Sequence, residues 1–195
     1  MSLTPVLRLA SASPRRRELL AQIGVPHTVE VADVDETVRD GEVVIAYVER
    51  VARAKAETVW QRARDLPVLG ADTTVVLDGI SLGKPRDRAH GLAMLEALAG
   101  REHRVLTTVA LVTAAGTHSL TSASTVRMRA STAQERSRYW ETGEPRDKAG
   151  GYAIQGLGAV FIESLRGSFS GVMGLPLFET AQLLAQAGVP CWSCA

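Results

Sequence analysis

The sequence has 195 residues, which is enough for one substantial hydrophobic core, and we expect a single domain over residues 1–195 with a frayed C-terminal tail from about residue 189. Hydrophobic residues make up 46% and charged residues 22% of the chain, and the formal net charge is +1, so a large basic surface for nucleic acid is disfavoured. Neither a membrane-length apolar run nor a secretory pattern is present, so we expect no membrane or nucleic-acid partner and a cytoplasmic location.

The first half of the chain alternates predicted strands and helices. Strands are expected at residues 6–10 and 28–32, separated by a helix that Ser13 caps and that Pro14 begins. The next helix is expected over about residues 44–64, where apolar residues recur at three- and four-residue steps. A strand over residues 66–77 then closes on an Asp-Gly turn and returns from Ile80 as a hairpin.

The second half is predicted to be richer in strands. The expected order is a helix from Asp87 to Gly100, strands at residues 103–116 and 117–129, a short helix capped by Ser131 with Gln134, a glycine-rich loop over 143–158, a strand at 159–165 and a last helix from Pro176. This pattern predicts an α/β protein with a mixed central sheet flanked by helices; an α+β arrangement is the alternative.

Lysines are rare in this chain. It has nineteen arginines but three lysines, Lys55, Lys84 and Lys148, so a lysine marks a place where arginine does not serve. Lys55 lies on the apolar stripe of the 44–64 helix, where it either extends to an edge or points into a cleft, and we favour the cleft. Lys84 follows the Asp-Gly hairpin and is expected near Asp72, although a turn lysine is usually a surface residue.

Two carboxylates are candidates for chemistry. Asp72 interrupts an apolar strand, where burying an ion costs several kcal/mol unless a cation or metal compensates it. It is either a strand-end residue that accepts backbone hydrogen bonds or a functional group. Glu36, in the acidic stretch "DVDE", is by itself a solvated turn. Together the two could hold a divalent cation, because Mg²⁺ commonly takes one or two carboxylates plus water and phosphate oxygens.

Three arginines follow the Ser13–Pro14 helix start. The positive end of a helix dipole repels cations, so Arg15 and Arg16 are best explained by an anion such as a phosphate chain, while Arg17 suits a solvated position. These cations and the two carboxylates predict a phosphate-handling site. Cys191 and Cys194 form a lone Cys-x-x-Cys, which is half of a zinc site, and we interpret it as part of the tail without a function.

The ordered segments "LASASPRRRELL", "DVDE", "RAKA", "GADT", "GKPRD", "DKAGGYAIQGLG" and "GLPL" resemble the Maf family of nucleoside triphosphate pyrophosphatases. The resemblance implies a Maf/ITPase-like fold with two lobes around an active-site cleft, and hydrolysis of the bond between the α- and β-phosphates of a nucleotide. The proton acceptor of the family matches Asp72 and its acidic partner matches Glu36. The phosphate-binding cations match Arg16, Lys55 and Lys84, of which Lys84 also counts as catalytic.

The resemblance also implies a cofactor and a specificity. Mg²⁺ or Mn²⁺ would be held by Glu36 and Asp72, and Ser11 and Ser13 would join the substrate-binding residues. Arg15, Thr73 and Gln155 match the branch that resembles dTTP/UTP pyrophosphatases, which implies a standard or modified pyrimidine nucleotide as substrate. A 7-methyl-GTP pyrophosphatase and a non-catalytic nucleotide-binding regulator of septum formation are the alternatives. The sequence leaves the oligomeric state open, although a homodimer is common for small enzymes of this kind.

Overall fold

The computed structural model of the protein describes residues 4–193, where seven strands form one sheet and six α-helices accompany it. The strands are β1 (Leu7–Leu9), β2 (His27–Val29), β3 (Val68–Leu77), β4 (Ile80–Leu82), β5 (Glu102–Thr113), β6 (Gly116–Met128) and β7 (Ile162–Arg166). The helices are α1 (Pro14–Gln22), α2 (Val44–Arg62), α3 (Arg88–Leu98), α4 (Ala133–Glu141), α5 (Phe169–Met173) and α6 (Leu177–Gln186).

The sheet is mixed. Its order is β2-β1-β3-β5-β6-β7, with β4 paired to β3 outside this path. Strand β1 runs parallel to both β2 and β3, as expected for strands connected through helices. The β3–β4 and β6–β7 pairs are antiparallel. A mixed central sheet with flanking helices confirms the predicted fold class.

The chain forms two compact units. Within the described residues, unit 1 comprises 4–72, 107–122 and 174–193, and unit 2 comprises 73–106 and 123–173. Each unit has its own buried apolar cluster. The cluster of unit 1 contains Ala10, Ala52, Ala56, Val59, Val68, Ala110 and Val112. The cluster of unit 2 includes Val75, Leu95, Leu98, Val126, Tyr139, Tyr152 and Phe161. That both units belong to one domain over 1–195 stays a prediction.

Local sequence signals set most element boundaries. Helix α1 begins at Pro14 and α2 begins at Val44, both as predicted. Ser13 occupies the N-cap position of α1, but its side chain makes no capping hydrogen bond. The predicted cap of α4 is wrong by one residue, because Thr132 and not Ser131 is the N-cap. Its hydroxyl accepts from the Glu135 amide at 3.2 Å, and the Glu135 carboxylate accepts from the Thr132 amide at 2.7 Å. Adjacent Ser and Thr are both competent caps, so composition alone could not fix the register.

The strand predicted at 159–165 begins later than expected. Residues Leu157–Phe161 coil into a 3₁₀ turn, and β7 starts at Ile162. Two further 3₁₀ turns, Glu144–Asp147 and Ala149–Gly151, occupy the glycine-rich loop that precedes it. The short helix α5 was not predicted, because five residues are too few to display a helical period.

The segment predicted to be a frayed tail is hydrogen-bonded up to Ser193. The Trp192 amide donates to the Ile23 carbonyl at 2.7 Å, and the Ser193 amide donates to the Gly24 carbonyl at 3.0 Å. Cys191 is a half-buried free cysteine, and Cys194 lies outside the described residues. Among residues 4–193, no helix has the length and apolar character needed to cross a membrane.

Candidate active site

A single ammonium group joins the two carboxylates selected from the sequence. Lys55 lies on the buried face of α2 and is 9% exposed. Its Nζ donates to Asp72 Oδ1 at 2.8 Å and lies 2.9 Å from Glu36 Oε1. Asp72, on β3, is 6% exposed, whereas the Glu36 side chain is 48% exposed. Of the two positions considered for Lys55, the structure therefore has it inside, among acidic groups.

Small residues allow α2 to approach β3 closely enough for this contact. A Cβ atom on Gly70 would overlap the Ala52 carbonyl oxygen and would lie 2.8 Å from the Ala56 amide nitrogen. Gly70 precedes Asp72 by two residues on the same strand, so both lie on one face of it. The glycine in "GADT" thus sets the distance between the helix that carries Lys55 and the strand that carries Asp72.

The surroundings of Asp72 change its pKa in two opposing directions. Burial raises the pKa of Asp72 above its usual value, while the charges of Lys55 and Arg16 act in the opposite direction. A carboxylate with a raised pKa is a stronger base than an exposed one, and proton acceptors work best when their pKa lies nearer the working pH. Asp72 is therefore suited to accept a proton once ionised.

Arg16 is held inward at the start of α1. Its Nε donates to the Gly174 carbonyl at 2.7 Å, and its Nη1 donates to Ser11 Oγ at 3.1 Å. Burial lowers the pKa of Arg16 and the Asp72 charge raises it, but a guanidinium stays protonated in proteins. The buried Ser11 hydroxyl also accepts from the Ser13 amide at 3.2 Å. Arg17 is exposed, as predicted for a solvated position.

The side chains of α2 also hold the irregular segment that carries Glu36. Arg50 donates to both carboxylate oxygens of Glu42 at 2.6 and 2.7 Å and to the Thr37 carbonyl at 3.0 Å. The Tyr47 hydroxyl donates to the Glu36 carbonyl at 3.1 Å. The Arg50 hydrogen bond lowers the pKa of Glu42 to about 2, so this ion pair persists in mild acid. Tyr47, Arg50 and Glu42 could not be selected from the sequence, since the segment before α2 has no periodicity that would pair it with the helix.

Three further predicted site residues, Thr73, Lys84 and Gln155, belong to unit 2. Lys84 is exposed on the loop after β4, and the carbonyl of the preceding Gly83 accepts from the Gly150 amide at 3.0 Å. Thr73 follows Asp72 directly on β3 and is half-buried, and Gln155 is exposed on the loop after Gly151. The expected proximity of Lys84 to Asp72 stays a prediction.

Lys148 has a different use. Its Nζ donates to the Glu144 carbonyl and to the Asp147 carboxylate, each at 2.7 Å. Both acceptors belong to the same glycine-rich stretch, so this lysine ties the loop to itself.

The comparison with known proteins decides the family. Residues 6–187 match the Maf-like proteins. The chain belongs to the Maf family. It is 50% identical over 190 residues to the dTTP/UTP pyrophosphatase of Hahella chejuensis, covering 96% of this chain and 94% of that protein. It is 53% identical over 194 residues to the dTTP/UTP pyrophosphatase of Bordetella avium, covering 95% and 96%.

The family resemblance found in the sequence is thus confirmed. Among solved structures, the HAM1 protein from Coxiella burnetii is 18% identical, with a TM-score of 0.49, over 94% of this chain and 100% of that one.

The acidic pair of this Maf protein is compatible with a divalent cation. Within residues 4–193 no three or more His, Cys, Asp or Glu side chains are grouped so as to hold a metal. Two carboxylates nevertheless converge on one positive charge, the Lys55 ammonium, and carboxylate oxygens are the hard ligands that Mg²⁺ and Mn²⁺ prefer. Glu36 and Asp72 are therefore the two residues that could hold such a cation.

Proposed function

We propose that this chain is a nucleoside triphosphate pyrophosphatase that hydrolyses dTTP and UTP to the monophosphate and pyrophosphate. The observation that carries the proposal is the Lys55 ammonium joined to Asp72 and Glu36 in a Maf-family chain about half identical to enzymes named dTTP/UTP pyrophosphatase. An acidic pair beside cations matches the needs of phosphoryl transfer, where positioning and charge neutralisation supply most of the catalysis.

In the proposed reaction a water molecule attacks the α-phosphorus. Asp72 accepts the proton that the water loses, the bond between the α-phosphorus and the bridging oxygen breaks, and pyrophosphate departs with the bonding electrons. General-base help of this kind contributes roughly 10²- to 10⁴-fold to a rate. Glu36 is the acidic partner, and its contact with Lys55 holds it at the same ammonium.

Positive side chains would bind the triphosphate. Arg16 and Lys55 already lie in the field of Asp72, which supports their assignment to the phosphates. Lys84 is included on the family resemblance, as are Ser11 and Ser13 at the start of α1. Amide groups at a helix start attract anions, which supports the position of the two serines.

A divalent cation is part of the proposal. Mg²⁺ or Mn²⁺ held by Glu36 and Asp72 would neutralise charge on the phosphate oxygens. Lys55 Nζ contacts Asp72 Oδ1 and Glu36 Oε1, so Lys55 and a bound metal would share these two carboxylates.

The base would be read by Arg15, Thr73 and Gln155. A glutamine amide offers one acceptor and two donor hydrogens, which complement the O4 and N3–H of thymine or uracil. Because these groups are shared by many substituted pyrimidines, the biological substrate includes modified pyrimidine nucleotides in this proposal. The cytoplasm, where nucleotides are consumed, is the proposed location, and a homodimer is the proposed assembly.

One assay tests the function. Purified protein is incubated with dTTP, UTP, dCTP, GTP and 7-methyl-GTP, each with Mg²⁺, with Mn²⁺ and with chelator, and both products are quantified. The proposal expects pyrophosphate and monophosphate in equal amounts, fastest from dTTP and UTP and only with metal. Preference for 7-methyl-GTP would favour the other branch, and nucleotide binding without turnover would favour the regulator.

A further inference from the structure

The loop that carries Gln155 is anchored on both sides by one carboxylate. Glu144 follows α4, and its side-chain oxygens accept from two backbone amides beyond Gln155. Oε1 accepts from the Leu157 amide and Oε2 from the Gly158 amide, both at 2.9 Å. The residues immediately after Gln155 are therefore fixed to Glu144.

The residues before Gln155 reach the same carboxylate through Tyr139. The buried Tyr139 hydroxyl donates to Glu144 Oε2 at 2.6 Å and accepts from the Ala153 amide at 3.1 Å. The Tyr139 ring packs edge-on against Phe161, with centroids 5.4 Å apart. Ala153 on one side of Gln155 and Leu157 on the other are thus tied to one hydrogen-bond network in unit 2.

The glycines of "QGLG" make this network possible. A Cβ atom on Gly156 would overlap Glu144 Oε1, and one on Gly158 would lie 2.8 Å from the Ala153 carbonyl oxygen. Neither Gly156 nor Gly158 has a positive φ, so the close approach of neighbouring atoms explains why both positions carry glycine. Partial burial opposes ionisation of Glu144, but hydrogen bonds from Tyr139, Gly158 and Leu157 prevail and lower its pKa.

We propose that Glu144, acting with Tyr139, is a positioning residue that fixes the backbone around Gln155 and thereby determines which pyrimidine is accepted. The inference rests on the proposed function, since it concerns selection of the base. A free glutamine amide can rotate and present either its oxygen or its nitrogen, so by itself it pairs as well with cytosine as with thymine. The place from which the Gln155 side chain starts is set by the backbone on both sides of it, and the network around Glu144 fixes that backbone and so limits how the amide can meet a base.

The test compares E144Q with E141Q. Glu141 is an exposed carboxylate at the end of α4 that accepts from Ser137 Oγ at 3.2 Å, so the control changes the same group nearby. The ratio of kcat/KM for dTTP to that for dCTP is measured in each variant. The glutamine in E144Q places an NH₂ group where a carboxylate oxygen accepted hydrogen bonds, so it faces N–H or O–H donors from which it cannot accept. We therefore expect the ratio of kcat/KM for dTTP to that for dCTP to fall about tenfold in E144Q, mainly through KM. E141Q is expected to leave it unchanged.

A double variant separates positioning from general destabilisation. If Glu144 acts through Gln155, E144Q changes the ratio in the normal background but not in a Q155A background. An unchanged ratio in E144Q, or an equal change in both backgrounds, would overturn the inference. If E144Q does not fold, Y139F keeps the ring and removes only the bridging hydroxyl; it should lower the ratio in the same direction, and an unchanged ratio there overturns the inference as well.

The same variants distinguish the two proposals. Should the wild-type chain bind nucleotides without hydrolysing them, dissociation constants for dTTP and dCTP replace kcat/KM, and the expected tenfold change is the same. Loss of turnover with an intact effect of E144Q on binding would contradict only the proposed reaction. Binding of neither nucleotide would contradict both proposals.

Discussion

Lys55 Nζ lies 2.8 Å from Asp72 Oδ1, and each residue is less than one-tenth exposed. Such a pair gains little net stability, because the cost of removing two charges from water offsets their attraction. Its value lies in chemistry, since it keeps a carboxylate ionised inside the protein while burial makes that carboxylate a better base. The balance between these two effects sets the pH at which Asp72 becomes ionised.

Replacing Lys55 with Met should shift the acid limb of activity to higher pH. Burial raises the pKa of Asp72 and the Lys55 charge lowers it, so loss of the charge raises that pKa further. The base must be ionised, and activity therefore disappears as the pH falls through the pKa of Asp72. The profile of kcat/KM for dTTP against pH measures the shift. Arg53→Met, on the same helix and with a partly exposed side chain, is the control and should leave the limb in place.

The same shift in the pKa of Asp72 makes the stability of the folded protein depend on pH. Because the folded-state pKa of Asp72 lies above its unfolded value of 3.8, the folded protein binds the proton more tightly, and ionisation costs stability as the pH rises through that window. Lys55→Met should therefore lower Tm more at neutral pH than at acid pH. An equal loss of Tm at both would contradict the assigned direction.

Gly70→Ala should destabilise the protein by about 1–3 kcal/mol, because the added methyl group meets backbone atoms of α2 that cannot rotate away. Denaturant unfolding measures this change. Gly83→Ala is the matched control, since a Cβ atom there meets nothing within 4 Å. Turnover of G70A should also fall, because the helix carrying Lys55 must shift relative to Asp72. Full stability in G70A would mean that the two elements are not closely packed.

Arg50→Met should reduce kcat about tenfold by releasing the segment that presents Glu36. The expected size follows from the loss of hydrogen bonds to a charged group. Releasing Glu36 removes a negative charge that raises the pKa of Asp72, so the acid limb should shift slightly to lower pH. Combining R50M with Glu42→Gln should add little to either single change, because both break one ion pair. Additive losses would show that Arg50 and Glu42 act separately.

The parts of the site that the sequence predicted are those marked by a local pattern. Lys55 could be placed on the core face of α2 because the apolar period continues on both sides of it. Asp72 could be selected because a charge inside an apolar strand demands compensation. In both cases the physical signal lies within a few residues of the side chain.

What the sequence could not supply depends on contacts between distant segments. Arg16 and Gly174 are 158 residues apart in the sequence, and no local pattern near either residue predicts the hydrogen bond between them. The partners of Arg50 lie in a segment with no period, and its bonds to the Asp35 and Thr37 carbonyls follow from the backbone path alone. The contacts of Glu144 were equally hidden, because Leu157 and Gly158 donate to it through backbone amides, which carry no sequence signal.

Turnover of dTTP by Asp72→Asn tests whether Asp72 is the proton acceptor. The substitution is nearly isosteric, so the fold should persist, and loss of the base should lower kcat by roughly 10²- to 10⁴-fold. Asp78→Asn is the control: Asp78 is exposed at the end of the same strand with φ 51°, a conformation that Asn tolerates, and it should turn over dTTP normally. Pyrophosphate release is measured in folded D72N and D78N. We expect it to be nearly abolished in D72N alone, and wild-type turnover by D72N would show that Asp72 is not the proton acceptor.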